Sequence, residues 1–358
     1  MSFIRELPYN NLPLLWPSEN LWKTFDVFEK LNAANKALAE LKGHLSAIPN
    51  PHIFIHTLSL QEAKESSEIE NIFTTNDKLF KAYTTDKATD RSTKEILRYG
   101  KALTQAHEQL KSSKAFSISF VEDIYRTIKD ETDGIREKEV YIGNDFETIY
   151  TPPSSRAVLL EKLDNWIEKA NEDSAMDPLI KMAFLHYQFE AIHPFKDGNG
   201  RTGRVLNMLY LAEQNLLNEP VLYLSKYINA YKTQYYTLLR EVTEEQAWEA
   251  WLLYILEAIR ATAQYTLKKV KAIETLFEQT RQQIQEKAPN VYSYELLEVL
   301  FTQVYCKYEF LIQRKIASRN TASNYFNQLV DLGLLEKEKV GTELIFKNVA
   351  LYELFRHE

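Results

Sequence analysis

The chain has 358 residues, 45% of them hydrophobic and 26% charged, with only 9 glycines and 11 prolines. That balance suits a mainly helical folded protein and argues against disorder or a loop-rich all-β architecture. A formal charge of −7 disfavours nonspecific binding of nucleic acid or anionic membrane by the whole surface. The single cysteine, Cys306, excludes an intramolecular disulfide and a cysteine-based zinc cluster. No apolar run approaches the ~18 residues of a spanning helix. Met1 to Asn10 has no signal-peptide core, so the expected compartment is the cytosol.

Residues 1–20 carry Pro8, Pro13 and Pro17, each without a backbone donor. They read as an extended arm whose Leu and Trp side chains pack on the body. From near Asn20, Leu21, Phe25, Phe28, Leu31, Leu38 and Leu41 recur at helical steps, which predicts one helix with a buried face ending near Gly43. Helices are expected at 57–73, 88–110 and 117–130, the last capped by Ser117 or Ser119. Gly134, Gly143, Pro152 and Pro153 then punctuate a β-rich span. Glu139–Ile142 and Phe146–Tyr150 flank Gly143-Asn144-Asp145, a sequence suited to a hairpin turn. An isolated two-stranded hairpin is marginal, so this one reads as a flap. Helices are expected at 155–171, 177–192, about 201–217, 226–241, 244–264 and 265–287. Ala288-Pro289-Asn290 reads as a boundary, beyond which come about three short helices and a hairpin around Gly341.

One segment concentrates chemistry: His193-Pro194-Phe195-Lys196-Asp197-Gly198-Asn199-Gly200-Arg201-Thr202-Gly203-Arg204. Gly198 and Gly200 let backbone N–H groups approach an anion at a helix start, where the dipole adds positive potential. Arg201 and Arg204, three apart on that helix, could grip phosphate oxygens. Asp197 suits Mg²⁺, which binds through one or two carboxylates plus phosphates, and His193 supplies a base near neutral pH. The G-x-G-x-x-G spacing of Gly198, Gly200 and Gly203 is not a dinucleotide fingerprint, because a helix rather than a strand precedes it. His52 and His56 have ligand spacing without an evident third ligand, and His186 reads as structural.

This segment resembles the signature of the Fic family (filamentation induced by cAMP), H-P-F-x-D-G-N-G-R-x-x-R, at every fixed position. The resemblance extends to the hairpin Val140-Tyr141-Ile142-Gly143 with Tyr150-Thr151-Pro152-Pro153, to Tyr235-Tyr236, and to Ser66-Ser67-Glu68-Ile69-Glu70-Asn71, which is similar to the family's inhibitory motif. It implies a mainly α fold with a β-hairpin flap. It also implies transfer of AMP from ATP, with Mg²⁺, to a Tyr, Thr or Ser hydroxyl of a protein target or of the chain itself. By the same resemblance His193 is the general base and Asp197 the metal ligand. Gly198, Asn199 and Gly200 line the anion hole, Arg201 meets the polyphosphate and Arg204 the γ-phosphate. One of the tyrosines, Tyr236 rather than Tyr235, meets adenine. Val140, Tyr141, Ile142 and Gly143 dock the target. Ser66, Glu70 and Asn71 form the inhibitory element, with Glu70 expected on Arg204.

The division expected is a helical region at 1–112, containing the inhibitory helix at about 57–73, a catalytic core at 113–288 and a module at 289–358. Ser318 to Ala322, then Phe326, Leu329 and Leu332-Gly333-Leu334-Leu335, resembles a winged helix–turn–helix. Eight basic residues against nine acidic ones after residue 290 disfavour DNA as its partner. Protein docking or homodimer formation is the other use open to it. A winged-helix regulator with a nucleotide-sensing core, and a transferase with another nucleotide donor, stay open as alternatives.

Overall fold

The computed structural model describes residues 3–356 apart from 49, 51, 89, 114, 144 and 145, and for 52–54 the backbone only. The arm winds over the body and buries Leu12 and Leu15. Helix α1 runs Phe25–Ala47, capped by the Thr24 side chain, which accepts from the Val27 N–H. It starts later than expected and continues past Gly43. Its buried seam is Val27, Leu31, Ala34, Leu38, Leu41 and Leu45. Phe25 and Phe28, expected on that face, are 80% and 49% exposed. Phe28 follows Val27 by one residue, about 100° around the helix, so both cannot face the same partner.

Next come α2 (His52–Ile69), α3 (Asn76–Thr85), α4 (Arg91–Ser113) and α5 (Ile118–Lys129). Helix α3 was not expected from the sequence; Thr75 caps it by accepting from the Lys78 N–H. Ser117 caps α5 by accepting from the Phe120 N–H. The hairpin is smaller than expected. Only β1 (Ile142–Gly143) and β2 (Thr148–Tyr150) pair, antiparallel, with Ile142 opposite Tyr150, so Val140 and Tyr141 lie before the strand. The turn residues Asn144 and Asp145 lie outside the described residues.

The centre is α6 (Arg156–Asn171), α7 (Pro178–Ile192) and α8 (Asn199–Glu213). Helix α7 is buried nearly all round. The expected helix 226–241 is two, α9 (Leu224–Ala230) and α10 (Lys232–Glu245). The two expected at 244–264 and 265–287 are one, α11 (Trp248–Lys287), which carries a long seam against α1.

The remainder comprises α12 (Tyr294–Thr302), β3 (Tyr305–Cys306), α13 (Tyr308–Gln313), α14 (Arg319–Asp331), β4 (Leu335–Val340), β5 (Glu343–Asn348) and α15 (Val349–Arg356). The three strands order β3-β5-β4, all antiparallel. The β4–β5 turn uses Gly341 at φ +60°, a conformation that favours glycine. The module packs back on the N-terminal helices: Tyr305 donates to Asp77 (2.6 Å), and Phe80 and Phe355 meet edge to face. No helix among the described residues is long and apolar enough to cross a membrane.

Candidate active site

Helix α7 ends at His193, whose backbone is left-handed (φ +50°) and whose N–H bonds the Phe189 carbonyl. The chain then turns through Pro194–Asp197 into α8. Phe195 is fully buried and stacks on Tyr125 at 4.0 Å with nearly parallel rings, fixing the turn to α5. Asn199 clamps it from within, accepting from the Phe195 N–H (2.9 Å) and donating to the Phe195 carbonyl (2.8 Å). The Asn199 side chain thus holds the loop in place at the point where α8 begins. Gly198 precedes α8 at φ +77° with no capping side chain, so the first N–H groups of the helix face outward.

His193 Nδ1 lies 3.3 Å from the Glu190 carbonyl, which fixes Nδ1 as the protonated nitrogen and leaves Nε2 as an acceptor. Burial lowers the His193 pKa to about 4, so the ring is neutral at physiological pH. Arg136 holds the turn from below. Its Nε donates to the His193 carbonyl (2.8 Å), its Nη2 to the Pro153 carbonyl (2.5 Å), and its own N–H to the Pro194 carbonyl. One buried guanidinium thus ties the histidine turn to the exit of the flap.

The two arginines of α8 separate. Arg204 points to α2, where its Nε donates to Ser66 Oγ and its Nη2 to the Ser66 carbonyl and Glu70 Oε1, each at 2.8 Å. Its side chain is buried; burial opposes its charge, but Glu70, Tyr235 and Glu190 outweigh that and raise its pKa. Arg201 pairs instead with Glu95 of α4 at 3.0 Å. Its side chain is equally buried, so the pair does not form a shared clamp in this conformation. A Cβ on Gly200 would collide with Glu70 Oε1 and Arg204 Nη1. The Glu70 carboxylate therefore lies directly over the start of α8.

Asp197 is 62% exposed and bonds Lys129 Nζ at 2.5 Å. Burial works against its charge, but Lys129 prevails and lowers its pKa, so it is anionic. No cluster of three metal-ligating side chains occurs among the described residues. A single anionic, accessible carboxylate suits Mg²⁺ that takes its other ligands from phosphates and water.

A pocket of about 380 Å³ opens beside His193. Glu70, Gly200 and Arg204 form one side, Tyr235 and Tyr236 another, Ile142, Gly143 and Ile149 of the flap region a third, and Glu190 and Phe3 also line it. Tyr235 is buried, its hydroxyl meeting His186 Nε2 at 2.9 Å while its ring lines the pocket. Tyr236 is 44% exposed and forms wall. Of the sequence candidates, Asp197 and Gly198 lie in the turn and Asn199 and Arg201 in the first turn of α8, outside the pocket wall. Asn71 is left-handed (φ +59°) just past α2, and its Oδ1 accepts from Lys232 of α10 at 3.4 Å. Val140 and Tyr141 line none of the pocket, Tyr141 being exposed. His56 meets Tyr83 at 2.9 Å, and the His52 side chain lies outside the described residues.

Sequence reasoning missed Arg136, Lys129, Glu95 and Glu190. Glu190 lines the pocket with a buried, unpartnered Oε1, and burial raises its pKa to about 7. Only its position, one turn before His193, pointed to it.

Three profiles match the chain: "Fic/DOC family N-terminal" over 28–108, "Fic/DOC family" over 115–211, and "Protein adenylyltransferase SoFic-like, C-terminal domain" over 276–351. The chain is 29% identical over 184 residues to a "Probable protein adenylyltransferase" of Aquifex aeolicus, covering 49% of this chain and 55% of that protein. It is 27% identical over 208 residues to a "Protein adenylyltransferase Fic" of Drosophila mojavensis, covering 52% and 39%. The chain thus spans about half or less of the length of these curated relatives. The crystal structure of a Fic family protein from Desulfovibrio desulfuricans superposes with TM-score 0.59 at 16% identity, over 91% of this chain and 96% of that one, a likeness of fold.

Proposed function

Since this chain is built from Fic/DOC family domains with a SoFic-like C-terminal domain, we propose that it is a protein adenylyltransferase held in check by its own helix α2. The acceptor is a Tyr, Thr or Ser hydroxyl of a protein target, and ATP is the donor. The observation that carries the reading is a neutral histidine with a free Nε2 beside an uncapped helix start, with an inhibitory-type glutamate seated on the arginine one turn into that helix.

The acceptor hydroxyl gives its proton to His193 Nε2 as its oxygen bonds the α-phosphorus. The bond from the α-phosphorus to the bridging oxygen breaks, and pyrophosphate leaves with that electron pair. The first N–H groups of α8 and the Arg204 guanidinium stabilise the phosphate oxygens. Preorganised donors in a water-poor site act there at little reorganisation cost. Mg²⁺ held by Asp197 and the phosphates would neutralise charge on the departing group. Tyr236 supplies a flat wall for adenine.

Glu70 competes with this arrangement. Carboxylate and γ-phosphate need the same guanidinium face, and Ser66 fixes the guanidinium plane toward α2. The test is incorporation of label from α-³²P-ATP into the chain itself or into lysate proteins. His193→Ala should abolish it with an unchanged circular dichroism spectrum. Equal labelling in His193→Ala would remove the general base.

A further inference from the structure

The flap has only two paired positions per strand and cannot hold its shape alone. The N-terminal arm supplies what it lacks. The Tyr9 N–H donates to the Thr151 carbonyl (2.9 Å), and Thr151 Oγ1 donates to the Arg5 carbonyl (2.6 Å), so the arm runs alongside the exit of β2. Arg5 then bridges two walls of the pocket. Its Nε donates to Glu244 of α10 (2.7 Å) and its Nη1 to Glu147 in the flap (3.2 Å). Phe3 packs on Tyr9 (5.1 Å) and on Tyr150 of β2 (5.9 Å), and its remaining surface lines the pocket beside Ile142 and Ile149.

Accepting the transferase reading, we infer that the arm is part of the acceptor-binding surface and that Phe3 is a specificity-determining residue. With Ile142 and Ile149, it favours targets whose acceptor hydroxyl is flanked by apolar side chains. Two features set the occupant. On the flap side the pocket is lined by Phe3, Ile142, Ile149 and Tyr150, which reward apolar partners, whereas its charged lining residues, Glu70, Glu190, Arg204 and Arg240, belong to the other walls. The flap side is also continuous with the reacting histidine, so whatever covers it must present a hydroxyl there. Arg5 is a positioning residue, acting through the flap.

The test uses the full-length Glu70→Gly chain and two sets of fluorescein-labelled heptapeptides with a central Tyr, one flanked by Leu and Phe, the other by Asp and Lys. Anisotropy reads affinity. The apolar set should bind at least about tenfold more tightly. Phe3→Ala should remove about that factor for the apolar set alone, Phe3→Leu should restore most of it, and ATP affinity should not move. Arg5→Ala should weaken both sets and speed amide hydrogen exchange at 148–150. No binding by either set, an equal loss for both sets in Phe3→Ala, or unchanged exchange in Arg5→Ala would overturn the inference. Label transfer from α-³²P-ATP, followed in the same samples, separates the two readings. Peptides bound in a Phe3-dependent way but never labelled would refute the transferase and leave the docking surface standing.

Discussion

At the scale of single residues, twelve consecutive positions held most of the chemistry, and contiguity made them legible. A base, a carboxylate, two close glycines and two arginines cannot be spread over unrelated sites when only a turn and one helical start separate them. Their supports were illegible because tertiary packing brings them in. Arg136 acts through backbone carbonyls, which every residue has, and Glu95 reaches Arg201 across 106 positions. Burial holds His193 at about 4, so the base stays deprotonated as pH falls through 6 and protonates only near 4. The transfer rate of an active form, plotted against pH, should therefore be flat from 7 to 6 on its acidic limb; a midpoint near 6.5 would contradict the burial of this ring. Asp197→Ala should lose Mg²⁺-dependent turnover by about a hundredfold or more. Activity that survives EDTA would show that the carboxylate serves only Lys129.

At the scale of elements, periodicity located most helices but misplaced their ends and sides. Phe25 and Phe28 fit a helical spacing but not the α1 seam, since the partner helix selects among overlapping stripes. No Gly or Pro falls between residues 248 and 287, yet the length invited a division; α11 is continuous over that span, with α1 along its seam, and the break comes earlier, at the left-handed Gln246. What no pattern could show is how α2 is docked. Glu62 accepts from the Ser225 N–H (3.0 Å) and from the Ser225 hydroxyl, capping α9, while Asn229 donates to Glu65 (2.9 Å) and Glu68 (3.3 Å). The helix bearing Glu70 is thus fastened to the element that leads into Tyr235 and Tyr236. Burial raises the Glu62 pKa to about 8, above its ordinary value near 4.5. In that window the folded state binds the extra proton, so this group's contribution to stability is full below 4.5 and is lost as pH rises through 8. Glu62→Gln should consequently raise the melting temperature at pH 8 more than at pH 5. An equal change at both would place the carboxyl's titration elsewhere. Ser225→Ala should cost about 1–2 kcal/mol by chemical denaturation and raise self-labelling with Glu70 intact, because the strap on α2 is looser.

At the scale of the whole molecule, the pairing of Glu70 with Arg204 was anticipated from two motifs, whereas the seating of the C-terminal module was not. Its contacts with α3, through Tyr305 to Asp77 and Phe355 to Phe80, and with the segment leading into α2, through Glu298 to Asn50, seat it against α3 and the approach to the helix that meets Arg204. A chain ending near Pro289 should keep the catalytic turn intact but melt at lower temperature and label itself faster. Unchanged labelling in a folded truncation would assign the module to another task. The central claim is that α2 restrains a competent transferase, and Glu70→Gly tests it most directly. Quantified from α-³²P-ATP at equal protein concentration, self-labelling should rise at least about tenfold over wild type, the scale of a lost 1.4 kcal/mol competitor. It should fall to background when His193→Ala is added, and Arg204→Ala alone should show no rise. A Glu70→Gly chain no more active than wild type with any nucleotide or divalent metal would contradict the account.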